Sequence, residues 1–255
     1  MMEKLTKIGV QLYTIRDYLK DEENVKRSFD KLKKLGYDEA QTAGCAIPYE
    51  TFGKLAKEAG LTIVGTHDNF DMMVNDPETA MHNHDLLDTK IMGIGGFFSQ
   101  NPDDYTAFVA KANKVAENIG KQGFTFTYHN HSHEFIRIFG QKTAMEYLFE
   151  HLDQRVGFVL DTYWVQHGGA DVRHWLEKLS GRVDILHLKD MARGGTAETV
   201  QYITEIGHGN LWWAGILETA FRSGVKHFVV EQDTCPGDPF ESLKASSEYL
   251  HANFF

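Results

Sequence analysis

The chain has 255 residues, with 26 basic and 36 acidic side chains and a formal net charge of −10. That balance disfavours general nucleic-acid binding, which needs a basic footprint, and no run approaches the roughly 18 apolar residues of a membrane span. Cys45 and Cys235 form neither a thiolate metal motif nor a disulfide framework, and the start of the chain lacks a secretory leader, so the expected compartment is the reducing cytoplasm.

Short apolar runs predict strands at 7–13, 38–44, 62–68, 90–97, 124–131, 156–162, 184–189 and 226–232. Helical periodicity fills most of the gaps. Val25, Phe29, Leu32 and Leu35 share a face, as do Tyr105, Phe108, Val109, Ala112, Val115, Ala116 and Ile119. Ala144, Met145, Leu148, Phe149 and Leu152 repeat the pattern, followed by Ile216, Leu217, Ala220 and Phe221. Glycines at 36, 60, 120, 123, 181 and 224 mark helix ends, each just before a strand. Eight β–α alternations without a linker predict an α/β fold, a single-domain (β/α)8 TIM barrel over 1–255. The competing doubly wound sheet usually carries Gly-x-Gly-x-x-Gly after its first strand, and none follows Val10-Gln11-Leu12-Tyr13.

A barrel places its active site at the C-terminal strand ends, where alternation decides which side chains point inward. Strand one turns Gln11 and Tyr13 inward, and strand three turns His67 inward. Strand five turns Thr125, Thr127, His129 and His131 inward, with Phe124, Phe126 and Tyr128 towards the helices. Strand six presents Val159 and Asp161, strand seven Ile185, His187 and Lys189, and strand eight Val229 and Glu231. An inward charge in a barrel core is costly unless it is paired or metal-bound. Each residue alone has a plain reading: His67 as a hydrogen-bonded core residue, Asp161 as a loop cap. One imidazole or carboxylate on each of four consecutive strands is harder to ascribe to chance. Mixed nitrogen and oxygen donors without thiolates suit one divalent ion, Mn, Co, Mg or Zn, and argue against a structural zinc site. The histidines at 82, 84, 151, 167, 174, 227 and 251 are expected on the surface, and His133 in a loop. Trp164, just past Asp161, is expected to wall a sugar-sized pocket.

Leu160-Asp161-Thr162-Tyr163-Trp164, His187-Leu188-Lys189-Asp190, Gly207-His208-Gly209 and Val230-Glu231 are joined by the opening Ile8-Gly9-Val10-Gln11-Leu12-Tyr13-Thr14. In order and across nearly the whole chain, these segments resemble the xylose isomerase-like TIM-barrel superfamily. Its members include sugar phosphate isomerases and epimerases, inosose dehydratases and endonuclease IV. The resemblance implies a metal site with a carboxylate from strand five, then Asp161, His187 and Glu231. Many members have Glu where this chain has His129. Another branch is similar to Tyr-His-Asn-His-x-x-Glu-Phe, matched here by Tyr128 to Phe135, and implies Glu134 as the ligand, with His129 as the substitute. Strict alternation puts Glu134 on the wrong face, so a bulge or turn after His131 is required. Endonuclease IV is a poor match, because a trinuclear zinc site needs more ligands and the acidic charge opposes DNA.

The resemblance implies a metal-dependent isomerase or epimerase acting on a sugar or keto-sugar through proton abstraction and a metal-stabilised enediolate. His131 and Glu231, then His129, are the expected acid/base groups. His67, Lys189, His208, Tyr13 and Trp164 are the expected substrate contacts. The alternative is a lyase or dehydratase on a keto-sugar or keto-inositol, including 3-keto-glycoside cleavage, with His131 or His129 as the extra acid. A non-catalytic sugar-binding barrel ranks last, since it predicts a broken ligand set. With no arginine cluster or clear phosphate loop, the expected partner is an unphosphorylated sugar or polyol, not nucleic acid or membrane. Homo-oligomerisation is left open.

Overall fold

Eight of the apolar runs pair side by side as β1 (Gly9–Gln11), β2 (Glu39–Thr42), β3 (Thr62–Thr66), β4 (Ile91–Ile94), β5 (Thr125–His129), β6 (Gly157–Asp161), β7 (Val183–Leu188) and β10 (His227–Val230). This computed structural model describes residues 3–194 and 200–255. The strand order is β3-β2-β1-β10-β7-β6-β5-β4, every neighbour parallel, so the sheet curls into a nearly closed barrel. The remaining seam lies between β3 and β4. There the Asp68 N–H donates to Gly93 O at 2.8 Å, and the Gly93 N–H donates to Thr66 Oγ1 at 3.4 Å. A Cβ on Gly93 would sit 2.4 Å from Thr66 O, so only glycine lets the two strands approach this closely.

Around the barrel run α1 (Glu22–Lys34), α2 (Tyr49–Ala59), α3 (Phe70–Asn75), α4 (Pro77–Leu86), α5 (Pro102–Gly120), α6 (Ala144–His151), α7 (Thr162–His167), α8 (Val172–Lys178), α9 (Trp213–Arg222) and α10 (Pro239–Phe254). Their apolar stripes pack on the outward strand residues Phe126, Tyr128, Phe158, Leu160, Leu186, Leu188, Phe228 and Val230 in one continuous core. Inside the barrel a separate small layer holds Val64, Val159, Ile185 and Val229. The two clusters are the strand alternation made physical: one side chain to the helices, the next to the barrel axis.

Three departures from the sequence reading have local causes. β2 pairs with β3 through a register shift that makes Val64 an extra residue, sending Val64 into the interior layer and Ile63 into the outer core. Beyond Leu188 the chain forms an unforeseen antiparallel hairpin, β8 (Asp190–Arg193) with β9 (Gln201–Thr204); its strands are short and lack an apolar run. Of the histidines expected on the surface, one is buried and another is only partly exposed. His84 is buried because it shares a helix face with Ala80, and its ring nitrogens meet Thr66 Oγ1 at 2.7 Å and Ala80 O at 2.6 Å. His227 Nδ1 lies 2.9 Å from the buried Glu39, which also pairs with Lys7. Among the described residues, no helix is long and apolar enough to cross a membrane.

One buried cation holds the joint between α6 and β6. Arg182 donates to Val156 O at 3.1 Å, Phe149 O at 3.3 Å, Leu152 O at 3.4 Å and Asp153 O at 3.0 Å. Arg182→Met is expected to lower the unfolding free energy by about 3 kcal/mol, because it strands several carbonyls in a dry setting. Urea titration checks this: the midpoint should fall with the slope unchanged.

Candidate active site

Above the interior apolar layer the inward side chains turn polar. His129 ends β5, Asp161 ends β6, His187 lies on β7 and Glu231 follows β10. One ligand-type atom from each lies within 4.8 Å of the others, and all four residues are buried. His187 Nδ1 is 3.0 Å from Glu231 Oε2 and 3.7 Å from Asp161 Oδ2, and His129 Nε2 is 3.4 Å from Asp161 Oδ2. On its far side His187 Nε2 sits 2.5 Å from Gln41 Oε1, which also accepts from Gln11 Nε2 at 3.0 Å. An acceptor there fixes Nε2 as the N–H side and turns the Nδ1 lone pair of a neutral ring towards the two carboxylates. Nδ1 makes no well-aligned hydrogen bond. This donor set fits a divalent cation, with two imidazoles and two carboxylates converging on one point.

Lys189, between β7 and β8, supplies the compensating charge. Its ammonium lies 2.7 Å from Glu231, 3.0 Å from Asp161 and 3.2 Å from each oxygen of Asp233. Burial would raise the Asp161 and Glu231 carboxyls, but Lys189 and the nearby histidines overcome it and hold both well below the carboxylate range. Burial works against a proton on His187, yet Glu231 and Asp161 outweigh it and raise its pKa. His67 and His129 go the other way, lowered first by burial and then by neighbouring imidazoles. Asp233 is pushed up to about 6 by burial and the charge on Glu231.

These groups open onto a cavity of about 440 Å³ lined by Tyr13, Ala43, His67, Asp68, Gly95, His129, His131, Glu231 and Asp233. His131 lies two residues past the end of β5. Burial, then His129, pushes its imidazole down to about 2, so the ring is neutral at ordinary pH. Trp164 packs 5.4 Å from His131, and its ring lies 5.4 Å from Lys189 Nζ.

The sequence of the chain matches the family described as xylose isomerase-like TIM barrel over residues 29–252. The chain belongs to this family. Among solved structures, it is similar to a sugar phosphate isomerase/epimerase from Parabacteroides distasonis at TM-score 0.83 and 24% identity, covering 100% of this chain and 96% of the other. It is also similar to the probable 3-DHS dehydratase AsbF from Bacillus anthracis (TM-score 0.72, 15% identity, 96% and 99% covered). An L-ribulose 3-epimerase gives TM-score 0.70 at 13% identity, with 97% and 94% covered. At these identities the likeness is one of fold. A comparison with curated protein sequences found no match.

Of the expected substrate contacts, His67 and Tyr13 line the cavity, while Lys189 and Trp164 are packed behind its lining. Two expected site residues lie elsewhere. Glu134 does not join Asp161, His187 and Glu231; His129 takes that place. The short 3-10 turn at His133–Phe135 buries Glu134 on the outer side of β5, where Oε1 accepts from Tyr128 OH at 2.6 Å and Oε2 from the His131 N–H at 2.8 Å. The turn after His131 exists, but it leads away from the barrel axis. His208, expected on substrate, is 57% exposed, 3.7 Å from Glu205 and absent from the cavity lining. The loop that carries it is organised by Asp190. That carboxylate accepts from the N–H groups of Met191, Gly207, Gly209 and Leu211 and from Trp213 Nε1 at 2.7 Å. Asp190→Ala should therefore loosen residues 207–211 and cost about 3 kcal/mol. Hydrogen exchange checks it, with the amides of Gly207 and Gly209 losing protection first.

Asp233, Asp68 and Gln41 were not singled out by sequence reasoning. Asp233 had a signal, since alternation from Val229 through Glu231 points to it. Asp68 lies beyond β3 and is reached only through the loop, where Tyr49 OH donates to it at 2.8 Å.

Proposed function

We propose that this chain is a single-domain, divalent-metal-dependent isomerase or epimerase of a neutral sugar or keto-sugar, working in the cytoplasm. The observation that carries the reading is the convergence of His129, Asp161, His187 and Glu231 from neighbouring strand ends beside one cavity. A divalent ion held by these four would act as a Lewis acid on a substrate carbonyl and so acidify the adjacent C–H. His131, neutral and on the cavity wall, accepts that proton and returns it; negative charge developing on the adjacent substrate opposes the burial that depresses its basicity. His67 and Tyr13 offer hydrogen bonds to substrate hydroxyls, and Trp164 backs His131 from behind. Lys189 holds fixed positive charge next to Asp161 and Glu231. The carboxylates of Asp68 and Asp233 on the lining oppose a phosphate group and favour a neutral polyol.

A second reading, a lyase or dehydratase on a keto-sugar, draws on Asp233. Expelling a hydroxyl or glycosidic oxygen needs one more acid than epimerisation, and a second acid/base side chain lines the cavity beside His131. Both readings share the first step. Incubation of the metal-loaded protein with a panel of keto-sugars in deuterated water should place deuterium on the carbon next to the carbonyl. His131→Ala should slow this exchange about 100-fold. Unsaturated or cleaved products would select the lyase, and a panel without exchange would sink both readings.

A further inference from the structure

The cavity lining stops at His131, but the aromatic surface continues outward. Phe98, after β4, is 69% exposed, a phenyl ring left in water beside the cavity mouth. It is held in place. Its centroid lies 4.6 Å from His133 in a stacked arrangement (29°) and 5.1 Å from His131. The backbone beneath is tied down, because the Phe97 N–H donates to Tyr128 OH at 3.2 Å and Phe97 O meets His133 Nε2 at 2.8 Å. Gly96, at φ +129°, lets this loop press against the imidazole: a Cβ there would lie 3.0 Å from His131 Nδ1. Inward from His131 the row continues to Trp164 and then Lys189. On the other side of the mouth Tyr13, 42% exposed, lines the cavity, and the Arg16 guanidinium stacks 4.2 Å from its ring. β5, which leads into His131, is four strands from β1 around the ring, so the two aromatic edges face each other across the opening.

A monosaccharide over the four buried groups would contact His131 and Tyr13 and leave Phe98 in water. We propose that Phe98 is the platform of an outer subsite that takes a second ring, so that the substrate is a glycoside whose sugar ring carries a keto group, rather than a free monosaccharide. The sugar sits in the cavity, and the cyclic aglycone lays its apolar face on Phe98. This rests on the reading of the cavity as a sugar site. The chemistry is complementary: a pyranose presents a face of C–H groups, an aryl aglycone presents a ring face, and both gain by covering an exposed phenyl.

Calorimetric titration of the full chain with methyl β-d-glucoside, cellobiose and phenyl β-d-glucoside tests the subsite. The two-ring ligands should bind wild type about tenfold more tightly than methyl glucoside, the gain from covering one aromatic face. Phe98→Ala should erase that ratio and leave methyl glucoside binding unchanged, and Phe98→Trp should keep the ratio. An advantage for only one of the two-ring ligands assigns the aglycone to that ring type. Equal affinity of wild type for all three, or equal weakening of all three by Phe98→Ala, would overturn the subsite while the sugar site stands. If wild type binds none of them, the subsite is overturned, and deuterium exchange into keto-sugars decides the sugar reading separately.

Discussion

The double variant Asp161→Asn, Glu231→Gln is expected to carry no divalent metal through purification and to catalyse no deuterium exchange, where wild type does both. Both carboxylates are buried, and each lies within 3.0 Å of Lys189. The amides match them in shape but carry no charge, so the change removes attraction for a cation without opening a hole. Loss of a partner that merely orients a ligand weakens a metal site about 10- to 100-fold. Removing two charged ligands should exceed that and leave no metal detectable by elemental analysis. His208→Ala, on an exposed loop, serves as the control and should retain metal. One metal per chain persisting in the double variant would move the centre away from these residues.

Lys189→Met should produce the second large effect, on stability. Without the ammonium, Asp161 and Glu231 face the same small buried space with only histidines to offset them. Breaking a buried charge set by removing one partner costs about 3–5 kcal/mol. In a chain of this size that corresponds to a fall in Tm of roughly 10 °C, measured in the presence of a chelator. A divalent cation supplies the missing charge, and binding to the folded state at a hundred times Kd returns about 2.7 kcal/mol. Manganese should therefore raise the Tm of the variant more than that of wild type. A variant as stable as wild type in chelator would show that the ammonium does not balance these carboxylates. Equal metal-induced shifts in both proteins would separate Lys189 from the metal centre.

Much of the fold was legible because barrel strands obey a period of two and their helices a period near 3.6. The apolar faces around Val25 and Tyr105 are buried as that reading requires. Alternation also carried the inward placement of Val159, Ile185 and Val229. It failed where the chain left the strand. Glu134 lies in a 3-10 turn, where period-two reasoning has no purchase, and the Tyr128 hydroxyl draws it to the outer side. His208 rides a loop whose path is set by a carboxylate 18 residues earlier, Asp190, a long-range dependence that no local pattern reveals. His84 was readable in principle, because its helix face is shared with Ala80, but a histidine on a helix invites a surface assignment.

The seam between β3 and β4 has a consequence for motion. Every other junction of the barrel is a paired ladder, while among the described residues this one carries a single backbone hydrogen bond, from Asp68 to Gly93. Cooperative units open first where backbone bonding is sparse. The barrel therefore has a built-in zip line, and sub-global opening should begin there, with Gly93 and Asp68 losing amide protection before residues on β6 and β7. His67 and Asp68 stand at the top of that line and on the cavity wall. Each opening of the barrel would thus disturb one side of the site while the side built by Asp161, His187 and Glu231 stays clamped.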